Sequence, residues 1–218
     1  MKNCILLLLF IFAPAATSFA APPTGQIHFG WAMTSITPEQ PVALAGQFHK
    51  RISERVESPC TATVLAIETR KGEQSLEQAI MVSCDLVLIA DHLHPRLRKM
   101  LAGRLPGFDP KKLFLNATHT HSAPSTHANG KPPQVAYGKL AQDGMVKAIV
   151  QAVKNLQPAS VGFGSDSVPE EVFNRRWYLQ DGKMPPNPFG GMDKVKMNPN
   201  RNHITRPAGP TDPEVSVI

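Results

Sequence analysis

The sequence predicts an α/β protein in which helices pack on a layered sheet, and three segments support this class. Residues 61–68, TATVLAIE, alternate in the manner of a β-strand and are rich in β-branched side chains. Residues 79–89, AIMVSCDLVLI, form a nearly continuous apolar run, which is typical of a strand covered on both faces. Residues 91–105 carry leucines at helical spacing. Strands that alternate with helices indicate a layered domain with at least one right-handed crossover.

The other elements follow in chain order, and we expect four strands to pair into one sheet with both helices packed on it. The helix at 91–105 begins near Asp91, has Pro95 in its first turn and ends near Gly103. The remaining predicted elements are a strand at 113–118 (LFLNAT), an amphipathic helix at 134–156 and a strand at 159–164 (ASVGFG).

The first 20 residues have the pattern of a cleavable signal peptide. Lys2 precedes the apolar run CILLLLFIF, and the small residues Ser18 and Ala20 predict cleavage after Ala20. A spanning helix needs about 20 apolar residues, whereas Pro14 interrupts this run too early. We therefore expect the mature protein to be exported, to a periplasm or out of the cell.

The amino-acid composition limits the classes of protein to which the chain can belong. Of the 218 residues, 42% are hydrophobic and 18% are charged, which is enough apolar material for a core and excludes wholesale disorder. The 21 prolines argue against a helical bundle, because proline blocks helix interiors. The net charge of +6 suits an anionic surface such as a phospholipid membrane. The basic residues are scattered, so we expect no nucleic-acid partner.

Removal of the signal peptide leaves two cysteines, Cys60 and Cys84. In an exported protein they could form a disulfide. Alternatively, they are small buried hydrophobic residues in two strands. We favour the second interpretation, because both lie in β-like apolar runs and their spacing is not that of a metal site.

The end of the chain differs from the rest. Residues 181–218 contain seven prolines and show no helical or strand period before EVSVI. This composition predicts a Pro-rich segment, either a long functional loop or a disordered tail. EVSVI looks like the opening of a strand without a partner, which would indicate a truncated chain. The predicted organisation is therefore a signal peptide at 1–20, an α/β region at 21–180 and the Pro-rich segment at 181–218.

Chemically reactive residues concentrate in the run NATHTHSAPSTH at 116–127. On a strand, residues i and i+2 project to the same face, so His119 and His121 would stand side by side at the end of the strand at 113–118. A His-x-His pair in that position can present nitrogen atoms to zinc. Two hydrogen-bonded histidines at a strand–loop junction are the alternative. His127 lies in the same run, but in a polar loop.

The wider sequence resembles a known family. THTHSAP, preceded by a strand and a short helix, resembles the THTHSGP motif of the neutral/alkaline non-lysosomal ceramidases. The stretches that resemble the same family in the same order are GWAMTSITP from Gly30, Leu44-Ala45-Gly46, TATVLAIE, VSCDL, FNRR at 173–176 and RPAGPTDPEVSVI. The resemblance covers roughly residues 27–218 and indicates an incomplete N-terminal portion of a larger ceramidase-like catalytic domain.

The resemblance implies a zinc-dependent amidase that hydrolyses the N-acyl amide of ceramide to sphingosine and a fatty acid, with the lipid substrate at a membrane surface. In the family one zinc ion is held by two His, a Glu and a Tyr. The first His of the motif corresponds to His119, a zinc ligand. The second corresponds to His121, which stabilises the reacting carbonyl. The Arg of the Asn-Arg motif corresponds to Arg175, an active-site residue.

The sequence departs from the family pattern in ways that leave alternatives open. Ser35 stands where the family has Asp, and Ala123 stands where it has Gly. The other zinc ligands lie further downstream in the family, and His203 is a candidate by residue type only. Because a catalytic zinc normally has three protein ligands, we expect the missing ones beyond Ile218 and this fragment alone to be inactive.

Two other functions therefore remain possible: a non-catalytic exported domain derived from such an enzyme, and a metal-dependent hydrolase of another substrate. Asp85, inside a predicted buried strand, is either a neighbour of the active site or the acceptor of a structural hydrogen bond, because a buried carboxylate needs a partner.

Overall fold

The computed structural model describes residues 25–126 and 132–218, with the side chains of the second helix described from residue 136. The predicted signal peptide and His127 lie outside the described residues. The strands are β1 (Gln26–Ser35), β2 (Ala43–Leu44), β3 (Arg51–Ile52), β4 (Thr61–Lys71), β5 (Gln74–Cys84), β6 (Leu113–Ala117), β7 (Gln157–Pro158), β8 (Gly164–Ser167), β9 (Arg176–Leu179), β10 (Lys196–Met197), β11 (Ile204–Pro207) and β12 (Glu214–Val217). The α-helices are α1 (Leu93–Leu101) and α2 (Pro132–Lys154).

The chain divides into two compact units, of which the first ends at Ala159 and the second begins at Ser160. This division lies earlier than the boundary at 180 that the composition suggested. Among the described residues, no helix is long and apolar enough to cross a membrane.

The first unit is built on a five-stranded mixed sheet with the order β6-β5-β4-β1-β7. β4 pairs antiparallel with β1 and with β5, whereas β5 and β6 are parallel. A parallel pair requires a crossover, and α1 lies on the connection between β5 and β6. The predicted α/β class with helices packed on a sheet is therefore confirmed.

The core lies between one face of this sheet and α2. On β4 the alternate residues Ala62, Val64 and Ala66 are buried, as the alternation of its sequence predicts. Three of the fully buried residues in the described part of the helix are alanines, which allow the helix backbone to approach the sheet closely. The fully buried helix residues are Ala141, Met145, Val146, Ala148, Ile149 and Ala152.

α1 packs beside α2 through one apolar face. Leu93, Leu97 and Leu101, four residues apart, are all buried. Arg98 and Lys99 lie in its last turn, where their positive charges interact favourably with the negative end of the helix dipole. The helix is shorter at both ends than the predicted span of 91–105.

The opposite face of the sheet carries a row of large apolar side chains. Trp31, Leu65, Met81 and Phe114 are direct partners across four adjacent strands and are 61%, 36%, 47% and 54% exposed. The prediction that the segment at 79–89 is covered on both faces is therefore wrong for this chain. β5 also ends at Cys84, earlier than the predicted end at residue 89. The amide of Asp85 makes the last bond to β4, to the carbonyl oxygen of Thr61 at 2.9 Å.

The fourth predicted strand, at 159–164, does not join this sheet. The short β7, Gln157–Pro158, pairs with β1 instead, and β8 begins at Gly164 in the second unit. The amide of Ala159 still donates to the carbonyl oxygen of Ile27 in β1 at 3.0 Å, and from Ser160 the chain belongs to the second unit.

The second unit consists of two small sheets. β9 pairs antiparallel with β10 and β11, and β12 pairs antiparallel with β8. The segment EVSV therefore has a partner, and the expectation of an unpaired strand start at the C-terminal end is wrong. The Pro-rich stretch from 181 contains short strands, which its composition did not predict.

Candidate functional site

The candidate site lies where the chain leaves β6. The strand ends at Ala117, and the amide of Thr118 still donates to the carbonyl oxygen of Cys84 at 3.0 Å. The next residue, His119, has a φ of 63°, in the left-handed region that a non-glycine residue rarely adopts. This conformation turns the chain sharply, and the following residues fold back beside the strand end.

The turn brings the two histidine rings of the motif into contact. The Nε2 atoms of His119 and His121 are 3.3 Å apart, and the ring centroids are 4.9 Å apart with an edge-to-face angle of 70°. The i, i+2 spacing predicted that the rings would lie together. Their proximity depends on the left-handed turn at His119, however, and not on strand alternation.

A backbone carbonyl fixes the tautomer of His119. Its Nδ1 lies 2.6 Å from the carbonyl oxygen of Val87, in the segment between β5 and α1. Because a carbonyl oxygen only accepts, Nδ1 carries the proton and Nε2 keeps its lone pair. Histidines that bind metals are oriented by this kind of bond.

The carboxylate of Asp85 connects the start of β4 with the end of β6 through hydrogen bonds. Its Oδ2 accepts from the amide and the hydroxyl of Thr61 at 2.9 and 2.8 Å, and its Oδ1 accepts from the hydroxyl of Thr118 at 3.3 Å. The carboxylate therefore makes the structural hydrogen bonds that one interpretation of Asp85 predicted, and one of them holds Thr118, the residue that precedes His119.

The hairpin formed by β2 and β3 lies against the same loop. Leu44 forms an antiparallel bridge with Pro124, and the amide of Ala45 donates to the carbonyl oxygen of Ala123 at 2.9 Å. The guanidinium of Arg51 donates to the carbonyl oxygen of His121. The hairpin and the motif loop border a cleft of about 960 Å³, which Thr120, Ser122 and Pro124 line from the loop side.

Three groups that interact with the Asp85 charge, Cys60, Cys84 and Tyr137, have altered pKa values. Both cysteines are free thiols. Burial, with a smaller contribution from the Asp85 charge, raises the pKa of Cys84 to about 12 and also raises that of Cys60. Burial raises the pKa of Tyr137, with smaller contributions from the two cysteines and Asp85. The hydroxyl of Tyr137 has no hydrogen-bond partner in the described part of the chain.

The donor set fits zinc only in part. The Nε2 lone pair of His119 is one nitrogen donor of the kind that zinc prefers, and His121 lies exposed beside it. Within residues 25–126 and 132–218, however, no group of three or more His, Cys, Asp or Glu side chains could hold a metal ion. A complete catalytic zinc site therefore needs ligands from outside these residues.

Arg175 and His203 belong to the second unit. Arg175 lines a cavity of about 630 Å³ together with Phe173, Trp177 and Arg201. His203 ends a short 3-10 helix, and its carbonyl oxygen accepts from the amide of Gln180 at 3.0 Å. The structure brings His119 and His121 together and places these two candidates in a separate unit.

Sequence reasoning missed the residues that support the pair. The carbonyl of Val87 carries no side-chain signal, so no motif could have identified it. Gly46 enters the sequence analysis only within Leu44-Ala45-Gly46, a stretch that resembles the family, and Arg51 is not singled out there. The single available signal was the glycine itself, which often marks a close approach of the backbone to another group.

Comparison with known proteins identifies the family and the fold of the chain. Residues 61–182 match the sequence profile of the family described as "Neutral/alkaline non-lysosomal ceramidase, N-terminal". The structure of a neutral ceramidase from Pseudomonas aeruginosa is similar, with 22% identity and a TM-score of 0.57 over 71% of this chain and 25% of that one. A ceramidase complexed with C2 is also similar, with 20% identity and a TM-score of 0.54 over 77% of this chain and 30% of that one.

At these identities the structural likeness shows the fold. The chain spans between a quarter and a third of the length of these two proteins. Comparison with curated proteins gives no match.

Proposed function

The chain belongs to the neutral/alkaline non-lysosomal ceramidase family, and from this membership we propose that it contributes to an exported zinc-dependent amidase acting on ceramide. The reaction is hydrolysis of the N-acyl amide to sphingosine and a fatty acid. The observation that carries the proposal is the contact between His119 and His121 at the end of β6, inside the matched segment.

In this proposal His119 is one of the zinc ligands. Its Nε2 carries a lone pair, because Nδ1 is held as a donor to the carbonyl oxygen of Val87. Other ligands come from residues outside those described, since these contain no group of three. Zinc, when bound, lowers the pKa of a water molecule to about 7 and polarises a carbonyl oxygen.

His121 and Arg175 are the proposed groups that stabilise the reacting carbonyl. His121 is exposed next to His119, so a donor on its ring can reach an oxyanion near that ligand. Arg175 is included because it corresponds to the Arg of the family's Asn-Arg motif. In the balanced reaction, the hydroxyl of water joins the acyl carbon, the C–N bond breaks, and a proton passes to the sphingosine nitrogen.

The proposed setting is an exported protein that meets its lipid substrate at a membrane surface. The signal peptide predicted at 1–20 supports export. Without Lys2 the remaining 22 basic and 17 acidic residues give a net charge of +5, which favours contact with anionic phospholipids.

One observation favours a second function, a non-catalytic exported domain derived from such an enzyme. The described residues provide two imidazoles but no third metal ligand close to them. A domain of this kind would keep the fold and the histidine pair while binding no zinc.

A hydrolysis assay on the protein as encoded, including any sequence that follows Ile218, separates the two functions. We expect release of sphingosine from N-acylsphingosine in detergent micelles, loss of activity with a zinc chelator, and recovery on addition of zinc. Intact ceramide after incubation with the zinc-supplemented protein would rule out the amidase and favour the non-catalytic domain.

A further inference from the structure

The hairpin of β2 and β3 is attached to the motif loop at three successive points. Leu44 bridges to Pro124, Ala45 donates to the carbonyl oxygen of Ala123, and Arg51 donates to the carbonyl oxygen of His121. These contacts join segments that are at least 70 residues apart in sequence. The backbone on the C-terminal side of the histidine pair is therefore held by the hairpin.

Gly46 brings the hairpin backbone against the ring of His121. Its φ is 88°, a conformation that side-chain-bearing residues rarely adopt. A Cβ atom at this position would lie 2.5 Å from Cγ and 2.7 Å from Nδ1 of His121. Since both distances are far below van der Waals contact, the ring can keep its place only if residue 46 is glycine.

We propose that this hairpin positions His121, with Gly46 and Arg51 as its positioning residues. Gly46 supports one side of the ring, and Arg51 holds the carbonyl of the same residue. Together they keep Nε2 of His121 beside Nε2 of His119. The catalytic consequence rests on the proposed function, whereas the placement of the ring does not.

The test compares two glycine substitutions with the same backbone strain. Gly46→Ala introduces the clash with His121, whereas Gly107→Ala, at a φ of 87°, has nothing within 4 Å of the added Cβ. The readout is the nuclear Overhauser effect between the ring protons of His119 and His121, measured by NMR. We expect a severalfold loss of this signal in Gly46→Ala and an unchanged signal in Gly107→Ala.

A second pair of variants tests the arginine and remains informative if Gly46→Ala does not fold. Arg51→Met removes the bond to the His121 carbonyl, and Arg51→Lys restores a donor. Arg55→Met is the control, because Arg55 lines the same cleft but pairs with Glu57. We expect the ring contact to weaken in Arg51→Met, to recover partly in Arg51→Lys and to persist in Arg55→Met.

Kinetics connect the placement to the proposed reaction. If the encoded protein hydrolyses ceramide, we expect Gly46→Ala to keep zinc and KM but to lower kcat by about 10²-fold, the usual effect of a displacement of about 1 Å at a reacting group. An unchanged ring contact in both Gly46→Ala and Arg51→Met would overturn the inference, as would equal losses in the control variants. A lost ring contact without any ceramide hydrolysis in the unmodified protein would support the positioning and overturn the amidase.

Discussion

Gly30 lies where β1 passes under the end of α2, and its replacement by alanine is the most direct perturbation of the fold. A Cβ at position 30 would lie 2.8 Å from the amide nitrogen of Leu156 and 3.0 Å from the carbonyl carbon of Asn155, with the carbonyl oxygen of Ala152 nearer still. All three atoms belong to backbone, which cannot rotate away as a side chain can.

The size of the effect follows from these distances. Ordinary contact begins at 3.4 Å, and the carbonyl oxygen of Ala152 is the nearest of the three atoms, so the helix end and the strand must separate by about 1 Å or more. That separation loosens the packing of Ala148 and Ala152 on the sheet. Overpacking of this kind costs about 1–3 kcal/mol, and a rigid backbone places Gly30→Ala at about 3 kcal/mol. The corresponding fall in Tm is about 6–12 °C.

Thermal unfolding followed by circular dichroism measures this loss. The matched control is Gly103→Ala, after α1, where an added Cβ meets nothing within 4 Å. We expect the control to be neutral or to gain about 0.4–1 kcal/mol through the unfolded chain. Equal Tm values for Gly30→Ala and the unmodified protein would refute the close approach of β1 and α2.

Three further substitutions or treatments test the surroundings of the site. Asp85→Ala removes the acceptor shared by Thr61 and Thr118 and should cost about 2 kcal/mol in urea unfolding, with exposed Asp91→Ala as the neutral control. Burial alone would raise the pKa of Glu68, but hydrogen bonds from Arg70, Ser75 and Gln78 lower it overall. The stabilisation from Glu68 is therefore present above the ordinary Glu pKa of about 4.3 and is lost as the pH falls below it. The free energy of unfolding should consequently fall less steeply at acid pH in Glu68→Gln, and the control Glu39→Gln should behave like the unmodified protein. Because the pKa of Cys84 is about 12, only about 10⁻⁴ of this thiol is ionised at pH 8. Iodoacetamide should therefore modify Cys84 only after denaturation, whereas Cys60 should react sooner. A Cys60–Cys84 disulfide would block both reactions and contradict the free thiols.

The fold class could be predicted because the sheet strands have strong local signals. Thr61–Lys71 alternates clearly, and Leu113–Ala117 is a short apolar run with a defined end. The helices were found from the leucine spacing of α1 and the amphipathic pattern of α2, with errors only at their ends. These elements form through contacts that their own sequences specify.

The second unit could not be predicted because its strands depend on distant partners. Glu214–Val217 pairs with Gly164–Ser167, nearly 50 residues earlier, and neither segment is buried. Without a buried face, a strand of four residues has little periodic signal. The same reasoning explains why the apolar segment at 159–164 was misread as a strand of the main sheet.

The candidate site was predictable in its residue types but not in its geometry. The motif pointed to His119 and His121, whose rings do touch. Three features of the site arise from tertiary packing and leave no sequence motif. They are the left-handed conformation of His119, its hydrogen bond to the Val87 carbonyl, and the close approach of Gly46 to the ring of His121. These features are visible only in the folded structure.

Zinc content and ceramide turnover of His119→Ala, measured on the protein as encoded, test the central claim most directly. We expect this variant to lose both zinc and amide hydrolysis, because a lost ligand removes the hold on the metal and its chemistry. His121→Ala should keep zinc and lose about 10²–10³-fold in kcat, the usual effect of removing one oxyanion donor. His49→Ala, on the exposed β2–β3 connection, should change neither quantity. Normal zinc content and normal turnover in His119→Ala would contradict the account.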